Sequence, residues 1–306
     1  MGKIAFIFSG QGAQYGGMGW ELYGASSAAK AVFDTADGIR PGTSGQCFEG
    51  TAETLSQTEN TQPCLFCVDL AAAAALREAG VTPDMLAGFS LGELAALAFS
   101  GAVTYEDAFK LVCRRAYHMA GASRETPAAM AAVLKLDDDT VIALTKEFEN
   151  VYAVNFNSPG QVVVSGEVGA LEAFKARVKE KGGKTMPLKV SGGFHSPFMA
   201  SASDRFAEEL EDFTITPPSV PLYSNVTARP YEDDFKGLLA LQIKSPVQWW
   251  RTVENMIAAG ADTFVEVGPG KVLSGLVSRI SDKARVFNVE DVSSLKNTVS
   301  EVQSHA

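Results

Sequence analysis

The chain has 306 residues, of which 46% are hydrophobic and 20% are charged, and its formal net charge is −10 at pH 7. This composition excludes a disordered chain, and the length predicts one large domain or two modest ones whose core needs no disulfides. The acidic balance argues against a dedicated nucleic-acid-binding protein, which needs a basic surface, and we expect no nucleic-acid partner.

The first residues and the most apolar window indicate neither export nor a membrane span. The apolar stretch at residues 4–8 is too short for a signal-peptide core, and no small-residue cleavage site follows it. The window 85–103 has Glu93 near its centre and several glycines, which favours a buried turn and helix over a span. We expect a soluble, cytoplasmic protein with no membrane partner.

Strands and helices alternate along the first part of the chain. A short apolar run at residues 3–8 predicts a buried strand that enters a Gly-rich turn. The elements predicted after it are a helix over 62–79, a strand over 86–89, a helix over 90–100 and an amphipathic helix over 105–122.

The middle of the chain follows a different order. Between residues 127 and 193 we predict strands over 130–136, 151–155, 161–165 and 184–190, with helices over 137–149 and 168–181. This β-α-β-β-α-β order is typical of a ferredoxin-like unit. A strand over 263–267 and a helix over 272–280 then resume the first pattern. We therefore predict an α/β protein in which residues 1–126 and 194–306 form a large subdomain and residues 127–193 an inserted small one.

The strongest local motif is Gly88-Phe89-Ser90-Leu91-Gly92, a G-x-S-x-G between a predicted strand and a predicted helix. This is the context of a nucleophile elbow, in which a sharp turn exposes the serine at the start of a helix. There the helix dipole and a free backbone N–H can stabilise an oxyanion. The alternative is a serine that caps a helix within a Gly-rich turn.

A nucleophilic serine needs a base, and only three histidines occur: His118, His195 and His305. His305 lies in the terminal tail, and His118 lies at the border of a solvated helix face. His195 lies in the Gly-rich loop SGGFHSP that follows the insert, where domain junctions build sites. Elimination therefore favours His195 as the base, the alternative being a hydrogen-bonded loop histidine.

Arg115 is unusual because it falls within an apolar helical stripe. The other members of that stripe are Ala108, Leu111, Val112 and Met119. A guanidinium on a buried face requires either a structural ion pair or an anionic ligand. Beside a nucleophilic serine, it suggests an acyl substrate that carries its own carboxylate.

Two sequence patterns resemble cofactor sites, but one lacks further metal ligands and the other has the wrong spacing. Cys64 and Cys67 form a lone CxxC without a second pair or a nearby histidine, which favours two apolar helix residues over a zinc site. Gly10, Gly12 and Gly16 are spaced one residue too widely for a dinucleotide-binding loop. We predict neither a metal nor a nucleotide cofactor.

A set of motifs extends along almost the whole chain. In chain order they are GQGAQ at 10–14, TQP at 61–63, GFSLGE at 88–93, Arg115, MAAV at 130–133, NFNSPGQVVVSG at 155–166, GGFHS at 192–196, SNVTA at 224–228, SPVQW at 245–249 and VEVGPGKVL at 265–273. From about residue 3 to residue 290, this set resembles the malonyl-CoA:acyl-carrier-protein transacylase family of fatty-acid synthesis.

The resemblance implies an α/β-hydrolase-like large subdomain with a ferredoxin-like insert. It implies that Ser90 is the nucleophile, that His195 is its base and that Arg115 holds the malonyl carboxylate. The backbone N–H groups of Gln11 and Leu91 would form the oxyanion hole. In this family a main-chain carbonyl orients the histidine, so we expect no catalytic aspartate and no metal or redox cofactor.

Further residues follow from the same resemblance. Gln248 takes the family position beside the histidine, Gln161 lines the pocket, and Phe194 matches malonyl-selective relatives. Phe89 stands where the family usually has histidine. Because that histidine is not the general base, we expect the reaction to survive the change.

The expected reaction is a two-step, ping-pong transfer from malonyl-CoA to the phosphopantetheine thiol of holo acyl carrier protein, through a malonyl-serine intermediate. Carrier proteins are usually acidic, so we expect a basic patch at the entrance, with candidates Lys175, Lys179, Lys181, Lys184 and Lys189. Two alternatives stay open: an acyltransferase that serves a polyketide synthase in trans, and a serine thioesterase or esterase.

Overall fold

The computed structural model describes residues 2–304, so His305 lies outside the described residues. The strands in this range are β1 (Lys3–Phe8), β2 (Met85–Gly88), β3 (Ala129–Leu134), β4 (Val151–Ser158), β5 (Gln161–Gly166), β6 (Lys184–Pro187), β7 (Leu222–Tyr223), β8 (Ala261–Val267) and β9 (Arg285–Val289). No helix among residues 2–304 is long and apolar enough to cross a bilayer.

Helices cover most of the remaining chain. They are α1 (Trp20–Ala25), α2 (Ser27–Ile39), α3 (Thr43–Glu49), α4 (Ala52–Ser56), α5 (Thr58–Glu78), α6 (Gly92–Phe99), α7 (Tyr105–Glu125), α8 (Asp138–Thr145), α9 (Val168–Glu180), α10 (Ala200–Leu210), α11 (Phe235–Gln242), α12 (Trp249–Ala258), α13 (Val272–Ile280) and α14 (Val292–Ser304). A short 3₁₀ turn, Pro197–Met199, precedes α10.

The strands form two separate sheets. The first is parallel and has the order β7-β2-β1-β8-β9, with the apolar strand β1 at its centre. The second is antiparallel and has the order β4-β5-β3-β6, and α8 and α9 pack against its strands. The predicted fold class is therefore confirmed: an α/β-hydrolase-like parallel sheet combined with a smaller β-α-β-β-α-β unit.

The register of the parallel sheet positions the loops that matter most. Phe8 pairs with Gly88 on one side and with Val267 on the other, so β1, β2 and β8 end side by side. The loops that follow these three strands consequently meet at one edge of the sheet. Open α/β sheets bind ligands at this carboxyl edge.

The core of the parallel-sheet layer depends on an unusually buried helix. Helix α5 packs against α2, α6 and α7, and most of its residues are buried. Its run of small side chains, residues 71–75, permits close contact on every face of the helix. This packing holds α7, which carries Arg115, against the loops at the sheet edge.

Candidate active site

Ser90 lies on a tight turn between β2 and α6. Its φ of 55° is in the left-handed region, which a non-glycine residue adopts only under local constraint. A Cβ on Gly88 would lie 1.9 Å from the Gly92 backbone carbon, and one on Gly92 would lie 2.3 Å from the Phe8 carbonyl oxygen. Gly88 is therefore required for the turn to close onto the start of α6, and Gly92 for α6 to begin this close to the end of β1.

His195 lies in contact with Ser90. Its Nε2 is 2.7 Å from Ser90 Oγ, and its Nδ1 is 2.9 Å from the backbone carbonyl of Gln242. Because a carbonyl oxygen only accepts, Nδ1 carries the proton and Nε2 is left to accept the serine proton. Burial, with the positive charge of Arg115 as a second cause, lowers the pKa of His195 to about 4.

Arg115 is fully buried beside the same serine. Its Nη1 donates to Gln62 Oε1 at 2.8 Å, and its Nη2 donates to Gln242 Oε1 at 2.8 Å and to Ser90 Oγ at 3.2 Å. Burial lowers its pKa to about 10, an effect that the charge of Glu93 opposes. The arginine is thus a cation at every physiological pH.

Arg115 makes no ion pair. Among residues 2–304, no carboxylate oxygen lies within 4.0 Å of the guanidinium, and Nε has no hydrogen-bond partner. The structural ion pair left open by the sequence is therefore absent from this part of the chain. A buried cation that has no carboxylate in direct contact can be satisfied by an anionic ligand.

Two backbone N–H groups lie free near Ser90. Within the described range, neither the N–H of Gln11 nor that of Leu91 donates a hydrogen bond. Both residues line the cavity next to Ser90, and Leu91 precedes the first turn of α6. The Leu91 N–H at the start of α6 and the Gln11 N–H in the loop after β1 are free donors suited to binding an oxyanion.

A cavity of about 250 Å³ lies over Ser90, His195 and Arg115. The parallel-sheet loops line one wall, and side chains of the antiparallel sheet, including Asn155 and Gln161, line the other. Phe194 also lines the cavity and is only 6% exposed. The Oε1 atom of Gln161 accepts a 2.6 Å hydrogen bond from exposed Arg279, which places Gln161 towards the cavity mouth.

The glutamine beside His195 is Gln242, which the sequence did not single out. Gln248 lies at the N-cap of α12, where its backbone N–H donates to the Asn225 carbonyl at 2.9 Å, and it is not among the cavity-lining residues. Gln242 closes the apolar helix α11 and is fully buried. The only sequence signal for Gln242 is a polar residue at the end of an apolar helical segment, and it lies in none of the motifs.

The other candidates lie away from the cavity. His118 Nε2 is 3.2 Å from Glu209 Oε1, outside the cavity lining. Cys64 and Cys67 are buried in α5, and all four cysteines are free. Within residues 2–304, no cluster of three or more His, Cys, Asp or Glu side chains could hold a metal ion.

Comparison with known proteins gives one consistent result. The acyl transferase domain family matches residues 5–301. The malonyl CoA-acyl carrier protein transacylase of Bacillus subtilis (strain 168) is 41% identical over 299 residues, which cover 95% of this chain and 94% of that protein.

Solved structures agree. The malonyl CoA-acyl carrier protein transacylase of Clostridium perfringens superposes with a TM-score of 0.95 at 38% identity, covering 99% of this chain and 98% of the other. A malonyl-transacylase solved in complex with its type II PKS acyl-carrier protein superposes with a TM-score of 0.94 at 33% identity, covering 98% and 99%.

Proposed function

Since the chain belongs to the malonyl-CoA:acyl-carrier-protein transacylases of the acyl transferase family, we propose that it transfers malonyl from malonyl-CoA to the phosphopantetheine thiol of holo acyl carrier protein. The product is an extender unit for fatty-acid synthesis. The observation that carries the proposal is the contact of one hydroxyl, Ser90 Oγ, with both a neutral imidazole and an unpaired buried guanidinium. This arrangement suits an acyl group that ends in a carboxylate.

The first half-reaction acylates Ser90. His195 Nε2 takes the Ser90 proton as Oγ attacks the thioester carbonyl, and the Nδ1–H bond to Gln242 stabilises the imidazolium. The backbone N–H groups of Gln11 and Leu91 bind the oxyanion. The intermediate then collapses, the carbon–sulfur bond breaks, and His195 returns the proton to the CoA thiolate.

Arg115 binds the malonyl carboxylate during this step. It is close enough to Ser90 Oγ, at 3.2 Å, for one end of a three-carbon diacid to reach the guanidinium while the other reacts. Burial and, second, the positive charge of Arg115 lower the pKa of His195, and the carboxylate offsets the second of these causes. A malonyl group therefore makes His195 a stronger base than an uncharged acyl group of the same size would.

The second half-reaction repeats the first with a different thiol. The phosphopantetheine thiol of the carrier protein gives its proton to His195 and attacks the malonyl-Ser90 ester, and Ser90 leaves with that proton. The same oxyanion site serves both steps. No step in this sequence requires a metal or a redox cofactor.

The remaining cavity residues select the substrate. Phe194 limits the room beside the acyl group and disfavours an α-methyl branch by about 1–3 kcal/mol. Exposed basic residues flank the mouth: Lys189 lies between the lining residues Leu188 and Val190, and Lys271 precedes Val272. We assign to these lysines the attraction of an acidic carrier protein. Lys175, by contrast, pairs with Glu172.

We further propose the unit boundaries and the location that the sequence suggests. Residues 127–193 form the small unit, a division supported by the content of the antiparallel sheet, and 1–126 with 194–306 form the large one. The four free cysteines are appropriate to the reducing cytoplasm.

Intact-mass analysis after mixing with malonyl-CoA tests the function, with Ser90→Ala as the control. We expect one malonyl adduct, absent from the variant and removed by holo carrier protein. An adduct lost equally fast to buffer would indicate a thioesterase. No adduct with malonyl-CoA would refute the proposal. Comparing discharge by fatty-acid and polyketide carrier proteins decides the pathway, for which the solved complex with a type II PKS carrier is the precedent.

A further inference from the structure

Glu93 is a fully buried carboxyl group in the first turn of α6, and it does not line the cavity. Its Oε1 accepts a hydrogen bond from the Tyr231 hydroxyl. Its Oε2 accepts from Gln242 Nε2 at 2.6 Å and from the Asn225 backbone N–H at 3.2 Å. Tyr231 and the cation of Arg115, on α7, are the titratable groups that face it. The reaction described above does not use this carboxyl group.

Gln242 connects Glu93 to all three polar groups of the site. Besides Glu93, its Nε2 donates to the Ser90 carbonyl at 2.8 Å, while its Oε1 accepts from Arg115 at 2.8 Å. Its backbone carbonyl accepts from His195 Nδ1 at 2.9 Å. Both Nε2 and Oε1 of the Gln242 side chain therefore have hydrogen-bond partners, and these partners fix the orientation of the amide.

Asn225 provides a second connection, which leads to the turn that carries Ser90. Its Oδ1 accepts from the Ser90 backbone N–H at 2.7 Å, and its Nδ2 donates to the Gly88 carbonyl at 2.6 Å. The strained left-handed conformation of Ser90 is thus held on both sides, by Asn225 at its N–H and by Gln242 at its carbonyl. Gln242, through Nε2, and Asn225, through its backbone N–H, both donate to the same atom, Glu93 Oε2.

We propose that Glu93 is a positioning residue, which fixes Gln242 and Asn225 so that Ser90, His195 and Arg115 are held in one reactive geometry. Its Oε2 atom can only accept, both in the carboxylate and when Oε1 carries a proton, so it forces the Gln242 amide to present Nε2 to Glu93 and Oε1 to Arg115. The reverse orientation would turn the amide oxygen towards two oxygens and its N–H groups towards a cation. The importance of this role for malonyl transfer rests on the proposed function. The effect of Glu93 on the reactivity of Ser90 can be measured without malonyl-CoA.

Two substitutions separate hydrogen-bond acceptance from mere volume. In Glu93→Gln, the amide oxygen can replace Oε2 as the acceptor for Gln242 and Asn225, while the amide nitrogen donates to the Tyr231 oxygen. Glu93→Leu fills the space but removes the acceptor for one of the two Gln242 Nε2 hydrogen bonds and for the Asn225 backbone N–H. Tyr231→Phe is the matched control, because it removes a hydrogen bond from the same carboxyl group without touching either amide residue.

The test measures the rate at which a fluorophosphonate probe labels Ser90, together with kcat and KM for malonyl transfer and the melting temperature. Labelling requires the Ser90–His195 pair but no acyl-CoA. We expect Glu93→Leu to lower the labelling rate and kcat by about 100-fold, the scale of a displaced catalytic group. Glu93→Gln and Tyr231→Phe should stay within about fivefold of the wild type, although Tyr231→Phe lowers the melting temperature.

The outcomes decide between a positioning role and a structural one. The proposal would be overturned if folded Glu93→Leu is labelled by the probe at the wild-type rate. It would also be overturned if Tyr231→Phe, at the same melting temperature as Glu93→Leu, loses as much of the labelling rate. If Glu93→Leu does not fold, Glu93→Gln decides: a loss of labelling in this folded variant refutes the acceptor role. Wild-type protein that is labelled by the probe but not by malonyl-CoA would refute the proposed function alone.

Discussion

The Nδ1–H group of His195 donates to the backbone carbonyl of Gln242 at 2.9 Å, in the place where many serine enzymes have a carboxylate. A carbonyl fixes the tautomer and the ring orientation as a carboxylate would, but it adds no negative charge next to the imidazole. Burial, followed by the positive charge of Arg115, lowers the pKa of His195 to about 4, so the base stays uncharged to low pH. The negative charge needed near Arg115 can then come from the substrate.

Replacing Arg115 by alanine should impair malonyl transfer selectively. The loss of a charge-assisted hydrogen bond to the carboxylate should raise the activation free energy of malonyl transfer by about 1.5–3 kcal/mol, which appears as a lower kcat/KM. Transfer of acetyl from acetyl-CoA should be spared. The measurement is kcat/KM for both acyl-CoAs. Arg114→Ala is the control, because Arg114 lies on the same helix but pairs with Glu209 on the other face. Equal losses for both acyl groups would make Arg115 purely structural.

Acylation of Ser90 should persist in acid. Since the pKa of His195 is lowered to about 4, the imidazole is neutral, and able to accept a proton, throughout the range above that value. The value of kcat/KM for acylation, measured at subsaturating malonyl-CoA, reports the free enzyme and should therefore stay constant from about pH 8 to about pH 5 and fall below it. In Arg115→Met the removed charge should move this acid limb to higher pH. A wild-type limb near the ordinary histidine value would contradict the arrangement.

Glu93 should lower the free energy of unfolding as the pH rises, whereas a carboxylate with a lowered pKa raises it. Burial raises its pKa from 4.5 to about 7, so the folded protein binds this proton more tightly than the unfolded chain does. The associated stability is complete below 4.5 and is lost as the pH rises through about 7. Melting temperatures of wild type and Glu93→Gln at pH 5 and pH 8 test this. We expect the variant to gain on the wild type at the higher pH, and a constant difference would contradict it.

Phe89 should be dispensable for chemistry. Its ring packs against the edge of Trp249, with centroids 5.4 Å apart at 61°, and its side chain makes no hydrogen bond to Ser90 or His195. Phe89→His, which restores the residue usual in this family, should keep kcat/KM for malonyl transfer within about threefold, or roughly 0.6 kcal/mol. A larger loss, measured beside a Phe89→Leu control, would show that the phenyl ring helps to shape the oxyanion turn.

The sequence predicts those parts of the protein that are specified locally. The Ser90 turn is specified by its own flanking glycines, and the burial of Arg115 by the spacing of its helix. Gln242 could not be found in this way, since its partners Arg115 and Ser90 are 127 and 152 positions distant along the chain. Nothing in the residues around Gln242 indicates those contacts.

Differences at element ends have similar local causes. The strand predicted over 184–190 ends as β6 at Pro187, which has no N–H to donate. The helix predicted over 137–149 ends as α8 at Thr145, and Glu147 and Phe148 continue in a turn. Helices α1, α3 and α4 have 6, 7 and 5 residues, too few for an apolar periodicity that prediction can use. Helix α2 is not among the predicted elements, although it does have buried side chains at helical spacing: Ala29, Val32, Phe33 and Ala36.

The central position of β1 has a consequence for synthesis on the ribosome. This apolar strand is made before the other strands of the sheet, and its partner β8 follows more than 250 residues later, so one edge of β1 stays open while those residues are made. An open apolar strand edge invites association with other chains, and the nascent protein should depend on chaperones. Ser90 is likewise made long before His195 and Gln242, so a partly made chain cannot cleave the thioesters around it.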